Sequence, residues 1–189
     1  MMPFRQAVRF LFVPLVILAS TSIAVAQAER IHSYHSDIEV RKDGSLQVIE
    51  TITVTARQNK IKRGIYRDFP MLYTTKYFVR IELPFDVVSV KRNGKPEPYH
   101  TEKQSNGVLL YIGKQNFILP PGQYTYEITY TTNYQLGYFE EHDELYWNVT
   151  GNGWYFPIEQ ATARVKVPSD VPWDKLSHEG YTGLPGSKE

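Results

Sequence analysis

The chain has 189 residues, with 21 Lys plus Arg, 20 Asp plus Glu and a formal net charge of +1. At roughly 150 residues per domain this length predicts one or two domains, and the balanced charge excludes a broad basic surface for nucleic acid. The absence of cysteine excludes disulfide scaffolds, thiol nucleophiles, cysteine zinc sites and iron–sulfur clusters.

The first 26 residues have the organisation of a secretory signal peptide. Two arginines precede an uncharged run over residues 10–25, which ends on the small-x-small triplet Ala24-Val25-Ala26. We expect cleavage after Ala26, which places the mature chain outside the cytoplasm. The alternative is an uncleaved membrane anchor. The run disfavours it, because about 16 residues interrupted by Pro14 are short for a span of roughly 20.

Beyond the signal peptide, apolar residues alternate with a period of two, which predicts β-strands. The clearest alternation is Tyr124, Tyr126, Ile128 and Tyr130, which we expect to be the buried set of their strand. Turn signals separate the strands, at residues 43–45, 93–94 and 120–122. The predicted strands are residues 38–40, 46–55, 78–83, 87–91, 108–112, 124–132, 144–150, 154–158 and 163–167.

About nine strands without a sustained helical period predict an all-β fold, an antiparallel, immunoglobulin-like β-sandwich. We assign residues 30–168 to this sandwich. Residues 169–189 contain several Gly and Pro residues and are expected to form an exit linker.

Four segments carry a family resemblance: residues 43–50, 63–68, 126–130 and 143–151, the last followed by Trp154 and Pro157. Their most specific part is the run Leu-Tyr-Trp-Asn-Val-Thr-Gly at residues 145–151. Over residues 30–183 the chain resembles the N-terminal domain of a family of bacterial predicted membrane proteins, domain of unknown function 2207. The resemblance implies an all-β ectodomain followed by transmembrane helices, so membrane attachment is implied by the resemblance alone. It transfers no catalytic residue.

Glu50 occupies an apolar position of its predicted strand, between Val48 and Ile52. A carboxylate there is either turned outward by a bulge or needs a cationic partner in the core. Arg63 and Arg67 lie in the following loop, and we expect a structural ion pair with one of them, preferably Arg67. The alternative is a catalytic acid with a raised pKa, which is less favoured because no second carboxylate can be placed beside it.

Tyr146, Trp147, Trp154 and Tyr155 flank a Gly-Asn-Gly segment at residues 151–153. If exposed, these rings would form a stacking platform for a sugar or a peptide. Alternatively, every second ring belongs to the core, in two strands joined by a hairpin. Because neighbouring strand residues face opposite ways, we expect one ring of the pair Tyr146 and Trp147 to point outward.

Residues 140–144 bring four acids and one histidine together. Their oxygens could bind a hard cation such as calcium, or two carboxylates could form a glycosidase acid pair. The segment lacks the spacing of a calcium loop, and we interpret it as a solvated turn. We therefore predict no metal site and no cofactor.

These features predict an extracytoplasmic, non-catalytic interaction or structural domain of a membrane-anchored protein, in the periplasm or at the cell surface. Its partner is expected to be an envelope protein or a glycan, and not a nucleic acid. Two alternatives stay open. One is a carbohydrate-binding module that uses the aromatic residues of 146–156, and the other is an envelope hydrolase that uses Glu50 or the acids of 140–144.

Overall fold

The structure is a computed structural model that describes residues 28–74 and 78–182. The predicted signal peptide, residues 1–26, and the end of the predicted linker lie outside these residues. The described part contains no α-helix and a single 3₁₀ turn at Trp173–Lys175, so the prediction of an all-β fold is confirmed. No helix among the described residues is long and apolar enough to cross a membrane.

The strands of the described part are numbered in chain order. They are β1 (Arg30–Val40), β2 (Leu46–Ala56), β3 (Gly64–Pro70), β4 (Leu72–Thr74), β5 (Arg80–Glu82), β6 (Phe85–Arg92), β7 (Lys95–Pro96), β8 (Tyr99–Gln104), β9 (Gly107–Gly113), β10 (Gly122–Thr132), β11 (Leu136–Tyr138), β12 (Asp143–Leu145) and β13 (Ala161–Lys166).

The larger sheet has six strands in the order β13-β1-β2-β10-β6-β7. Its central pairs are antiparallel, whereas β13 runs parallel to β1, with Tyr34 opposite Ala161 and Glu39 opposite Lys166. The antiparallel prediction is therefore wrong at this edge. A parallel pair needs a long crossover connection, which residues 146–160 supply here.

The smaller sheet, in the order β3-β9-β8, covers one face of the larger sheet. From β3 it directs Ile65, Arg67 and Phe69 into the core, where the Phe69 ring lies 4.9 Å from the ring of Tyr130 on β10. The predicted strands did not include β3, because Arg67 interrupts its apolar alternation. The Arg67 side chain points into the core, where the Glu50 carboxylate on the opposite sheet pairs with its charge.

The predicted register of β10 is confirmed, since Tyr126, Ile128 and Tyr130 are buried and Tyr124 is half-buried. The predicted turn at Asn93-Gly94 is also present. Both of its residues have positive φ, 51° and 75°, as a two-residue hairpin turn requires.

Two strand predictions in the aromatic region are wrong. The strand expected over residues 144–150 extends only over Asp143–Leu145, and residues 154–158 form no strand. Gly151 and Gly153 have φ values of 66° and 84°, in the left-handed region that interrupts a pleated strand. Only Ile158 pairs, through a single bridge with Ile31.

Candidate functional site

A buried polar cluster joins the two sheets. Glu50 is 0% exposed and Arg67 is 5% exposed. Arg67 donates from Nε to Glu50 Oε2 and from Nη2 to Glu50 Oε1, both at 3.0 Å, in the bidentate geometry typical of strong pairs. The Tyr130 hydroxyl donates to Glu50 Oε1 at 3.0 Å, and the Tyr34 hydroxyl accepts from Arg67 Nε at 3.0 Å. Arg63, the other candidate partner, is exposed.

Electrostatics within this cluster keep the Arg67 guanidinium charged and the Tyr34 and Tyr130 hydroxyls protonated. Burial disfavours a charged guanidinium, but the adjacent Glu50 carboxylate outweighs burial and raises the pKa of Arg67. Burial raises the pKa of Tyr34 and Tyr130 well above the ordinary value, and the Glu50 charge raises both further. Both hydroxyls therefore remain protonated at neutral pH, and the cluster acts as a fixed structural element.

Residues 146–156, here called the aromatic loop, lie directly over this cluster. Ser36 Oγ on β1 donates to the Val149 carbonyl at 3.2 Å, and the Tyr34 and Trp154 rings meet edge to face at 6.0 Å. A Cβ atom on Gly151 would lie 2.2 Å from Arg67 Nη1. The loop backbone thus rests on the buried guanidinium, and glycine is needed at the point of contact.

The four predicted binding residues of this loop divide into two pairs. Tyr146 is 77% exposed and Tyr155 is 72% exposed, whereas Trp147 and Trp154 are half-buried and pack against the core. Tyr146 and Trp147 face opposite ways, as the sequence predicts. The largely exposed rings of this loop are therefore the two tyrosines.

A row of rings that sequence analysis did not identify crosses the outer face of the smaller sheet. Tyr66, Tyr111 and His100 stand directly opposite one another on β3, β9 and β8. Ring centroids are 6.1 Å apart for Tyr66 and Tyr111, and 4.8 Å apart for Tyr111 and His100. At the end of the row, Tyr66 and Tyr155 line a shallow cleft of about 20 Å³. This row could not be predicted, because β8 lacks an apolar alternation and neither β3 nor β8 was predicted as a strand.

Two neighbouring loops, residues 56–64 and 113–120, form what we call the basic end. They contain five cations and no Asp or Glu: Arg57, Lys60, Lys62, Arg63 and Lys114. The Leu119 amide donates to the Lys62 carbonyl at 2.8 Å, which holds the two loops together. Among the described residues, none of the five cations takes part in an ion pair.

The backbone of the first loop is folded around the Glu29 carboxylate. The amides of Arg57, Asn59, Lys60 and Ile61 donate to its oxygens at 2.9, 3.2, 2.7 and 3.1 Å. Such a ring of amides is an anion-binding nest. Partial burial raises the pKa of Glu29, but the four backbone hydrogen bonds outweigh it and the pKa is lowered.

The acidic residues 140–144 lie at the other end of the sandwich, since they follow β10 whereas the basic loop 113–120 precedes it. All five are exposed. No group of three or more His, Asp or Glu side chains within residues 28–74 and 78–182 is arranged to hold a metal ion.

A wider groove of about 760 Å³ lies at this same end, between the β1–β2 hairpin, β13 and Trp173. Its charged walls pair with each other. Arg164 donates to Asp37, and Lys166 donates to Glu39 at 2.8 Å. The charges along this groove are thus already compensated.

Solved structures give only weak similarities. An M1 zinc metallopeptidase from Deinococcus radiodurans superposes with a TM-score of 0.37 and 18% identity, covering 57% of this chain and 21% of that chain. Leukotriene A4 hydrolase from Saccharomyces cerevisiae superposes with a TM-score of 0.36 and 15% identity, covering 55% and 15%. TM-scores this low carry no argument about fold or activity.

Sequence comparisons identify the family. The Escherichia coli (strain K12) protein named "Uncharacterized protein YciQ" is 33% identical over 148 residues, which cover 78% of this chain and 24% of that relative. The chain therefore spans about a quarter of that relative's length. The family model "Predicted membrane protein (DUF2207) N-terminal domain" matches residues 30–186. With most of its length matched, this chain belongs to the family of predicted membrane proteins that share the DUF2207 N-terminal domain.

Proposed function

We propose that this chain is an extracytoplasmic, non-catalytic interaction domain of a membrane-anchored protein. In this proposal residues 30–168 form the binding domain, and residues 1–26 are a signal peptide removed on export. Residues 169–189 are a linker towards the membrane part. The partner is an envelope protein or a glycan.

The observation that carries the proposal is the way the buried cluster supports an exposed aromatic loop. The Val149 carbonyl accepts a hydrogen bond from Ser36 and Gly151 lies against Arg67, while Tyr146 and Tyr155 project into solvent. Exposed rings on a backbone that is fixed from below bind with little loss of conformational entropy. This arrangement favours recognition of a partner.

The same geometry argues against Glu50 as a catalytic acid. Its side chain is 0% exposed, and both of its oxygens accept hydrogen bonds from Arg67 or Tyr130. A general acid must reach the atom that it protonates, within hydrogen-bond distance. Glu50 is enclosed by the two sheets, so its position supports a structural role.

A carbohydrate partner is the more specific candidate, and the exposed tyrosines favour it. Tyr146 and Tyr155 each combine an apolar ring with a hydroxyl, a combination that suits the face and the rim of a sugar. The two tryptophans are half-buried and pack against the core, and Trp154 also lines the cleft beside Tyr155.

A glycan array probed with the purified protein tests the proposal. We expect binding that is weakened by Tyr155→Ala and retained by Tyr134→Ala, because Tyr134 is comparably exposed, at 71%, but lies beyond the other end of β10. Absence of binding to every glycan would contradict the carbohydrate candidate. Turnover of a bound glycan that Glu50→Gln abolishes would contradict the non-catalytic role.

A further inference from the structure

We infer that the basic end and the adjoining row of rings bind an acidic polysaccharide, a glycan chain that carries carboxylate or phosphate groups. This inference rests on the proposed interaction function and names the class of ligand. It replaces a site limited to the aromatic loop with a surface that begins at Tyr155 and continues over Lys60 and Tyr66.

The charge of this surface selects an anion. The loops 56–64 and 113–120 hold five cations without an acidic residue, and the four cations of the first loop are exposed. Several exposed cations elsewhere are paired, for example Lys42 with Asp170 at 3.0 Å and Lys91 with Glu127 at 2.7 Å. The Glu29 carboxylate lies within the first loop, but a single carboxylate leaves the five cations with a net positive charge. Such a charge raises the local concentration of a polyanion and speeds its association.

The loop that carries the cations is held in one conformation. The Glu29 carboxylate accepts hydrogen bonds from four backbone amides of residues 57–61. These amides are therefore not available to bind a ligand. The side chains of Lys60, Lys62 and Arg63 are left for the ligand. A loop already ordered in the free protein loses little conformational entropy when it binds.

The rings beside the basic loop favour a sugar polymer. Lys60 Nζ lies 5.7 Å from the centroid of the Tyr155 ring, and Tyr66 lines the same cleft. From there Tyr111 and His100 continue the row across three strands. Because the cleft is only about 20 Å³, the ligand must lie across the surface, as an extended chain does.

An anionic lipid surface is the other occupant that such charge could attract, and the course of the chain favours the glycan. Because β13 runs parallel to β1, the described chain leaves the sandwich at the end opposite the basic loops. The family description makes this an N-terminal domain of membrane proteins, so the membrane part follows that exit. The basic end then lies at the end of the domain opposite the exit towards the membrane part.

The test measures binding of the purified protein to polygalacturonate and to its fully methyl-esterified, neutral form, by calorimetry. We expect binding to the acidic polymer that weakens steeply with added salt, and little binding to the neutral form. Lys62→Glu should weaken the binding by about tenfold or more. The matched charge reversal Lys175→Glu, exposed at the other end of the sandwich, should change it by less than about twofold. Tyr66→Ala should also weaken it, with the melting temperature unchanged.

Three results would overturn the inference. Equal effects of Lys62→Glu and Lys175→Glu would show that the basic end is not the site. Binding to phosphatidylglycerol vesicles without binding to polygalacturonate would assign the surface to lipid. Binding to a neutral glycan that Tyr155→Ala abolishes and Lys62→Glu leaves intact would overturn the acidic ligand while the proposed function stands.

Discussion

Glu50 and Arg67 form a charge pair that is removed from solvent and sealed by two tyrosines. Taking either charge out of water is costly, so the pair contributes little net stability compared with apolar residues. Loss of one partner, however, leaves the other as an unpaired charge in the core. The cluster therefore fixes how the small sheet and the aromatic loop dock onto the large sheet. The role of the cluster is to position these parts of the fold.

Removing one partner should be strongly destabilising. We expect Glu50→Ala or Arg67→Ala to lower the free energy of unfolding by about 3–5 kcal/mol, measured by urea denaturation. The control Glu127→Ala breaks a pair with Lys91 whose side chains are 37% and 42% exposed, and should cost about 0–1 kcal/mol. Strictly additive effects in the Glu50→Ala/Arg67→Ala double variant would show that the two residues do not act as a unit.

The contact between Gly151 and Arg67 can be isolated with a second glycine. Gly151→Ala and Gly153→Ala both place a side chain at positive φ, 66° and 84°, but Cβ meets Arg67 at residue 151 and open space at residue 153. Gly153→Ala should cost about 1 kcal/mol for the backbone alone, and Gly151→Ala should cost at least about 1 kcal/mol more. Equal melting temperatures of the two variants would contradict this close contact.

The alternation of apolar residues in β2 was enough to place Glu50 on the inner face of its strand. A buried carboxylate needs a cation, which singled out an arginine partner. It could not place Tyr66 beside Tyr111 and His100, because that row depends on the register of β3, β9 and β8 across the chain. Which residues become cross-strand neighbours depends on how distant strands pair. The residue pattern of β8 does not indicate this pairing.

At the level of elements, the loop 56–64 owes its shape to Glu29, a residue that lies outside the loop. Sequence alone considered Arg63 of this loop as a partner for Glu50 and counted its other cations only in the total charge. The nest itself could not be predicted, because it is made of backbone amides and has no side-chain pattern. In the same way, the irregular course of residues 151–158 follows from two glycines at positive φ. A period-two pattern in that segment therefore predicted a strand that is absent.

The Glu29 nest predicts a pH-dependent stability. Glu29→Gln should lower the free energy of unfolding by about 1–3 kcal/mol at pH 7, because the amides lose a charged acceptor. The pKa of Glu29 is lowered from 4.5 in the folded state, so its contribution is complete above that value and is lost as the pH falls through the folded pKa. Urea denaturation at pH 7 and near pH 3 should show the two proteins converging in acid.

The exposed carboxylate Glu140 serves as a control for this experiment. Glu140→Gln removes the same charge at the opposite end of the molecule and should leave stability within about 0.5 kcal/mol of wild type. A Glu29→Gln variant that matches wild type at pH 7 would contradict the nest as a stabilising element.

At the scale of the whole molecule, the chain is nearly neutral but its charge is separated. The five cations of the basic end and the four acids of residues 140–144 lie beyond opposite ends of β10, whose 11 residues span about 35 Å. The net charge of the chain does not show this separation of cations and acids. It becomes visible only when the strand order places the two groups at opposite ends of β10. An acidic polymer approaching the domain would be drawn to the basic end.

Chemical-shift mapping of the ¹⁵N-labelled protein with polygalacturonate is the sharpest test of an acidic ligand at the basic end, because it locates the binding surface residue by residue. We expect the largest shifts on residues 60–66 and on Tyr155 and Tyr111, and no perturbation of residues 140–144 or of the groove beside Trp173. Shifts concentrated in that groove, or spread evenly over all exposed lysines, would contradict the assignment of partner binding to the basic and aromatic end.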